Sequence, residues 1–284
     1  MIDTLFFDAH THHLPQPQTT AIVSCRMDEK TASSYLQAPF ISVSLHPWYL
    51  TEENIQSQID WLVQTIQSDS RVVALGEAGL DKVCDTPFDL QIQAFRKAIE
   101  LSETYHLPLV IHSVKATEEL FALHKKYHPA QAWIIHGFRG KKELATDLIR
   151  HGFYLSFGKK YQEKALSIVP ADRLLLESDE ADTDFPSFYR QVASLRGTSF
   201  DSLVENIKEN AYLVVPKINY TMDLNIEDSS SEELLSDNTL EKDENSPDNG
   251  FEVGEYNTYE AYNSEKQYFT REDYTYDYDL LNAI

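Results

Sequence analysis

Short apolar runs recur through the first 180 residues of this 284-residue chain, and they restrict its fold more than any other feature. The runs are Leu5–Phe7, Ala21–Cys25, Phe40–Leu45, Val72–Leu75, Leu109–Ile111, Ala132–Ile135, Phe153–Phe157 and Leu174–Leu176. Several are apolar throughout rather than alternating, which is how strands read when both faces of a parallel sheet are covered. Helical spacing appears between many of them. Glu52–Gln67 places Ile55, Ile59, Leu62, Val63 and Ile66 on one face, and Phe88–Tyr105, after Pro87, does so with Ile92, Phe95, Ile99 and Leu101. Lys141–Arg150 and Pro186–Leu195 are shorter candidates, and Ser202–Leu213 comes after them. Eight strands alternating with helices predict an α/β chain closed as a (β/α)8 TIM-like barrel. The connection from Arg26 to Pro39 is the weakest as a helix. The barrel is expected to occupy residues 1–218, which is small for this architecture.

Residues 219–284 differ in kind. They hold 18 of the 46 acidic and 3 of the 24 basic residues, a net of −15 out of the chain's −22. Tyr256, Tyr259, Tyr262, Tyr268, Tyr274, Tyr276 and Tyr278 lie among acids, and aliphatics are sparse. Such a segment buries too little apolar surface to offset its ordering entropy, so a disordered acidic tail is expected, with a partner-binding segment as the alternative. The acidic balance gives no long-range attraction toward nucleic acid or anionic membrane. No apolar run approaches the roughly 20 residues needed to span a bilayer, so no membrane association is expected. Only Cys25 and Cys84 are available as thiols, and the N-terminus lacks the pattern of a secretory signal. These features predict a cytoplasmic protein.

The chemistry-bearing residues sit just after the apolar runs. His10 and His12 end the first; in an extended segment residues i and i+2 point the same way, so both can grip one cation. His46 comes after the third run, Glu77 after the fourth, His112 after the fifth, His136 after the sixth and Asp179 after the eighth. The C-terminal strand ends are where barrels of this type place active groups. Neutral imidazoles with carboxylates suit a divalent ion such as Zn²⁺ or Mn²⁺, and Glu77 lies centrally in strand order, where a carboxylate can bridge two ions. Asp179 is placed to ligate an ion and to accept a proton from water. Each residue alone also reads as an ordinary polar group at a loop or helix cap; the ordered set is what points to a site. His124 and His128 read as solvated residues near a helix end, with His106 and His151 similar, and His13 faces away from His12.

These residues resemble the TatD family of metal-dependent deoxyribonucleases, within the amidohydrolase-like barrels. Phe6-Phe7-Asp8-Ala9-His10-Thr11-His12 resembles the family's opening signature, Gly76-Glu77-Ala78-Gly79-Leu80-Asp81 its central glutamate motif, and Leu174-Leu175-Leu176-Glu177-Ser178-Asp179 its late motif. The resemblance covers Leu5 to Lys217 and implies two divalent ions (Mg²⁺, Mn²⁺ or Zn²⁺). His10, His12, Glu77 and Asp179 would hold the first; Glu77, His112 and His136 would hold the second. Glu77 and Asp179 would be the catalytic carboxylates, and His46 matches a histidine used near the scissile phosphate. The implied activity is hydrolysis of phosphodiester bonds in DNA, as an exonuclease or repair-associated nuclease.

Three positions depart from the family pattern. Val114 and Lys115 stand where an Arg-Asp pair is usual, Glu180-Ala181-Asp182 replaces an x-Pro after the last aspartate, and Phe185-Pro186 leads almost directly into a helix where a longer loop is usual. Lys115 and Arg139 are the candidates to replace the lost phosphate contact, with Lys159 and Lys160 nearby. The shortened loops keep open a smaller phosphoester, amide or aminoacyl ester as substrate. A non-catalytic metal-loaded scaffold with a partner-binding tail is the third reading.

Overall fold

The structure, a computed structural model, describes residues 5–218. The expected tail, 219–284, lies outside the described residues. Eight strands run in chain order through one sheet: β1 (Phe6–Thr11), β2 (Thr19–Cys25), β3 (Ile41–Leu45), β4 (Val72–Asp81), β5 (Leu109–Val114), β6 (Trp133–Ile135), β7 (Tyr154–Phe157) and β8 (Leu174–Leu176). Every neighbouring pair is parallel. The helices are α1 (Ser33–Gln37), α2 (Ile55–Ser68), α3 (Phe88–Tyr105), α4 (Thr117–Tyr127), α5 (Lys142–Arg150), α6 (Glu163–Ile168), α7 (Phe185–Arg196) and α8 (Phe200–Val214). The Arg26–Pro39 connection holds only one 3₁₀ turn and the short α1.

The strands are buried on both faces, which explains their unbroken apolar runs: β1 to β4 carry no exposed residue. β4 is much longer than its apolar run, so Glu77 lies inside the strand, in an irregular stretch where register shifts between Leu75 and Ala78. Gly76 (φ 132°) and Gly79 permit this. A Cβ on Gly76 would fall on the Val110 carbonyl oxygen and one on Gly79 on that of His112, so only glycine lets β4 approach β5 so closely.

The barrel nearly closes. Between β8 and β1 there is no continuous ladder among the described residues; a single parallel bridge joins Thr11 to Asp179. Asp179 N–H donates to His10 O (3.0 Å) and His12 N–H to Asp179 O (3.1 Å). Side chains reinforce the seam. Asp8 accepts from the Ser178 amide (2.9 Å) and hydroxyl (2.6 Å), and the Tyr189 hydroxyl on α7 donates to Phe7 O (2.9 Å). Asn210 on α8 donates to Ala171 O and Leu174 O. Gly197, in the left-handed conformation, stops α7, and Ser199 caps α8 two residues later, so the two bracing helices succeed one another tightly.

Candidate metal centre

The seam sets the geometry of the centre. Asp179 adopts the left-handed conformation (φ 57°), so its backbone bonds β1 while its carboxylate turns inward. His10 and His12, two residues apart on the end of β1, direct their Nε2 atoms at Glu77 Oε2, at 3.4 and 3.3 Å. The same nitrogens lie 4.0 and 3.8 Å from Asp179 Oδ1. The other oxygen of Glu77 faces a second group. Glu77 Oε1 is 2.6 Å from His136 Nε2, 3.6 Å from His112 Nδ1 and 3.6 Å from His46 Nε2. One carboxylate therefore stands between two sets of imidazoles, each set addressing a different oxygen.

The donor chemistry fits cations. His10 is fully buried, yet neither of its ring nitrogens has a hydrogen-bond partner among the described residues. Buried polar atoms are almost always satisfied, so a buried imidazole left bare beside two carboxylates has the environment of a ligand. Three clusters have mutually close ligand atoms, within 4.8 Å: His10, His12 and Glu77; His10, His136 and Asp179; His46, Glu77 and His112.

Partners behind the imidazoles fix which nitrogen each presents. His112 Nε2 faces Asp81 Oδ2 at 3.2 Å, leaving Nδ1 toward Glu77. His136 is held less closely: its Nδ1 lies 3.7 Å from Glu177 Oε1, an ion-pair distance beyond hydrogen-bond reach, while Nε2 faces Glu77. A carboxylate behind a ligating histidine sets its tautomer and raises its basicity. His46 differs: its Nδ1 accepts the Trp48 N–H (3.1 Å), so the neutral ring carries its proton on Nε2. Burial pushes the His46 imidazole down to about 3, against the pull of Glu77, and keeps it neutral. It thus offers an N–H toward the centre, which suits a phosphoryl oxygen better than a cation.

Charge coupling pervades the cluster. Burial works against the Glu77 carboxylate, but the neighbouring His136 and His10 hold it well below the usual carboxylate range. Burial likewise opposes the charged His136, and Glu77 with Glu177 overcomes this and raises it. At His12, burial is outweighed by Glu77 and Asp179, and the imidazole shifts up. Burial would raise Glu177 and Asp81; the neighbouring His136 and the hydrogen bond from the Trp48 indole, respectively, bring them down. Asp8 goes with its burial instead, up to about 8.

The expected substrate contacts are more scattered. Arg139 is largely exposed and pairs with Asp179, Nη2 to Oδ2 at 3.7 Å. Lys115 is exposed on a left-handed turn after β5 (φ 54°) and makes no hydrogen bond or ion pair among the described residues. Lys159 donates to the Asp182 carbonyl. His13 faces outward, near Glu180 O at 3.2 Å. His124 is less solvated than its position suggests, because its ring packs on Trp133 and Phe153. Two members of the centre, Asp81 and Glu177, are missed by sequence reasoning. Both lie within the glutamate and late motifs, but only the folded neighbours His112 and His136 distinguish them from other motif carboxylates, since Glu177 and Asp179 lie past the end of β8, where strand alternation no longer applies.

Comparison with known proteins gives a consistent picture. The family model described as TatD related DNase matches residues 6–215. An 80-residue stretch is 98% identical to the uncharacterized protein YhaC of Escherichia coli, covering 28% of this chain and 20% of that protein, so the chain spans about a fifth of that relative. The uncharacterized metal-dependent hydrolase YabD of Bacillus subtilis is 32% identical over 184 residues, 57% of this chain and 70% of the relative. Among solved structures, the TatD homologue YjjV of Escherichia coli superposes with a TM-score of 0.65 over 76% of this chain and 99% of that one, at 22% identity, and shares the fold. No helix among the described residues is long and apolar enough to cross a membrane.

Proposed function

The chain belongs to the TatD-related DNase family, and from that premise we propose that it is a two-metal hydrolase cleaving phosphodiester bonds of DNA, with residues 1–218 as the hydrolytic domain. One observation carries the reading: the two oxygens of Glu77 address separate groups of imidazoles, His10 and His12 on one side, His112 and His136 on the other. His10, His12, Glu77 and Asp179 would hold one divalent ion, and Glu77, His112 and His136 the other. When bound, such a pair supplies positive charge to a phosphoryl oxygen and a nucleophile from water at neutral pH.

The protein's own groups divide the remaining work. Asp179, the most exposed carboxylate of the set at 26%, opens toward solvent and is placed to take a proton from an attacking water. His46 offers its Nε2–H to a phosphoryl oxygen. Arg139, beside Asp179, supplies positive charge at the mouth, and the exposed Lys115 is the second candidate cation. Asp81 holds His112 in orientation by a hydrogen bond, and Glu177 lends negative charge behind His136. The shortened loop before Phe185 leaves the alternative of a smaller phosphoester, amide or aminoacyl ester substrate.

The test is hydrolysis of 3′- and 5′-labelled oligonucleotides by the full chain with Mg²⁺, Mn²⁺ or Zn²⁺, against Glu77→Ala and Asp179→Asn. Metal-dependent nucleotide release by wild type, lost in both variants, is expected. Cleavage retained by Glu77→Ala contradicts the site. Hydrolysis of small esters with oligonucleotides left intact transfers the centre to the smaller substrate class.

A further inference from the structure

Two large aromatic residues stand exposed at the mouth of the centre, and neither ring is among its candidate ligands or proton carriers. Trp48 is 53% exposed and Tyr49 42% exposed, on the 3₁₀ turn that succeeds β3. An exposed indole is ordinarily free to change rotamer, whereas this one is tethered through its ring nitrogen and sits on a turn that is itself held. Its Nε1–H donates to Asp81 Oδ2 at 2.6 Å, its backbone N–H donates to His46 Nδ1, and Pro47 rigidifies the turn. The ring stands edge-on to His46 (centroids 5.0 Å, 73°) and to His112 (5.4 Å, 78°), two of the three imidazoles beside Glu77 Oε1. Tyr49 extends the aromatic surface; its ring lies 5.4 Å from that of His46 and is backed by the Arg26 guanidinium at 3.9 Å.

We propose that Trp48 is a specificity-determining wall on which the base beside the scissile phosphate stacks, so that the centre selects an unpaired nucleotide with its base turned out. The inference rests on the polynucleotide reading of the centre and names the residue that enforces it. The favoured occupant is a nucleobase because the indole is held one ring away from the hydrolytic groups, where the group next to the reacting phosphate must lie. Stacking on an aromatic side chain tolerates any base, and a pre-fixed ring loses little freedom on binding.

The experiment compares wild type, Trp48→Ala and Trp48→Phe on an oligothymidylate and on the same oligomer with abasic nucleotides at the cleaved end. The platform predicts that wild type prefers the intact oligomer, and that Trp48→Ala raises KM for it by about 5- to 150-fold, the range of one base–aromatic contact. Both variants lose the indole's bond to Asp81, so the ratio of the two substrates, not either rate alone, reads stacking: Trp48→Ala abolishes the preference for the intact oligomer, and Trp48→Phe, which lacks the same bond, recovers most of it. A merely structural role for the indole would depress both substrates together with their ratio unchanged in Trp48→Ala, and that result overturns the proposal. A binding measurement accompanies the kinetics. Of the three tryptophans, Trp133 is buried and Trp61 half-buried, so quenching by a phosphorothioate oligothymidylate reads Trp48. Cleavage by wild type without quenching or base preference overturns the platform alone. Neither cleavage nor quenching overturns the polynucleotide reading with it. Concentration-dependent dimerisation that shields Trp48 from acrylamide would assign the ring to a second copy and also overturn the proposal.

Discussion

The proposed ligand cluster and its rim are built on opposite principles. Around Glu77, His112 and His136 each have a buried carboxylate nearby, and Glu77 and His112 arise from β4 and β5, with His136 directly after β6. At the rim, Lys115 and Arg139 sit on exposed loops, one without a partner among the described residues and one on Asp179. Cation binding needs donors held to within fractions of an ångström, which only rigid elements with supporting hydrogen bonds supply. Substrate contacts tolerate mobility, so the rim can change while the cluster persists. The departures at Val114-Lys115 and Glu180-Ala181-Asp182 all fall on the rim side of that division.

Substitutions can break or sharpen the contrast. The largest effect is expected from Glu77→Ala, which removes the carboxylate facing both imidazole sets; hydrolysis should fall to background with each metal. The same variant should lose the response to chelation. In wild type, a metal present at about 100 times its Kd adds ~2.7 kcal/mol of stability, so EDTA should lower the thermal midpoint of wild type and leave that of Glu77→Ala unmoved. Next come Asp81→Asn and Glu177→Gln, which leave the ligands but weaken their supports. Each should cost about 10- to 100-fold in metal affinity or activity, read by metal titration of the rate. At the seam, Tyr189→Phe deletes the hydroxyl bonded to Phe7 O and should cost about 1 kcal/mol in denaturant unfolding, with activity falling little. Smallest is Lys115→Ala. An exposed lysine without an ion-pair partner among the described residues is worth less than about 1 kcal/mol, so KM should change by no more than a few-fold. A large effect there would show that the rim is held as rigidly as the cluster.

Much of this is legible in sequence because parallel strands of a barrel advertise themselves twice, by unbroken apolar runs and by the polar groups at their C-terminal ends. The spacing of His10 and His12 alone implies a shared direction, and the eight strands lie in chain order. The features hidden from sequence are those that depend on three-dimensional neighbours. The closure of β8 on β1 turns on the left-handed backbone of Asp179, which no pattern announces. Asp81 and Glu177 look like any carboxylate of a motif until His112 and His136 are folded against them. His46 separates from the other histidines only through the Trp48 amide on its Nδ1. His124 reads as solvated from its polar neighbours, whereas Trp133 and Phe153, distant in sequence, determine its surroundings.

The measurement that bears most directly on the two-cation centre is anomalous diffraction from crystals of the full chain equilibrated with Mn²⁺. Two peaks flanking the Glu77 carboxylate, one beside His10 and His12 and the other beside His112 and His136, are predicted. A single peak, or peaks that leave Glu77 uncoordinated, would contradict it.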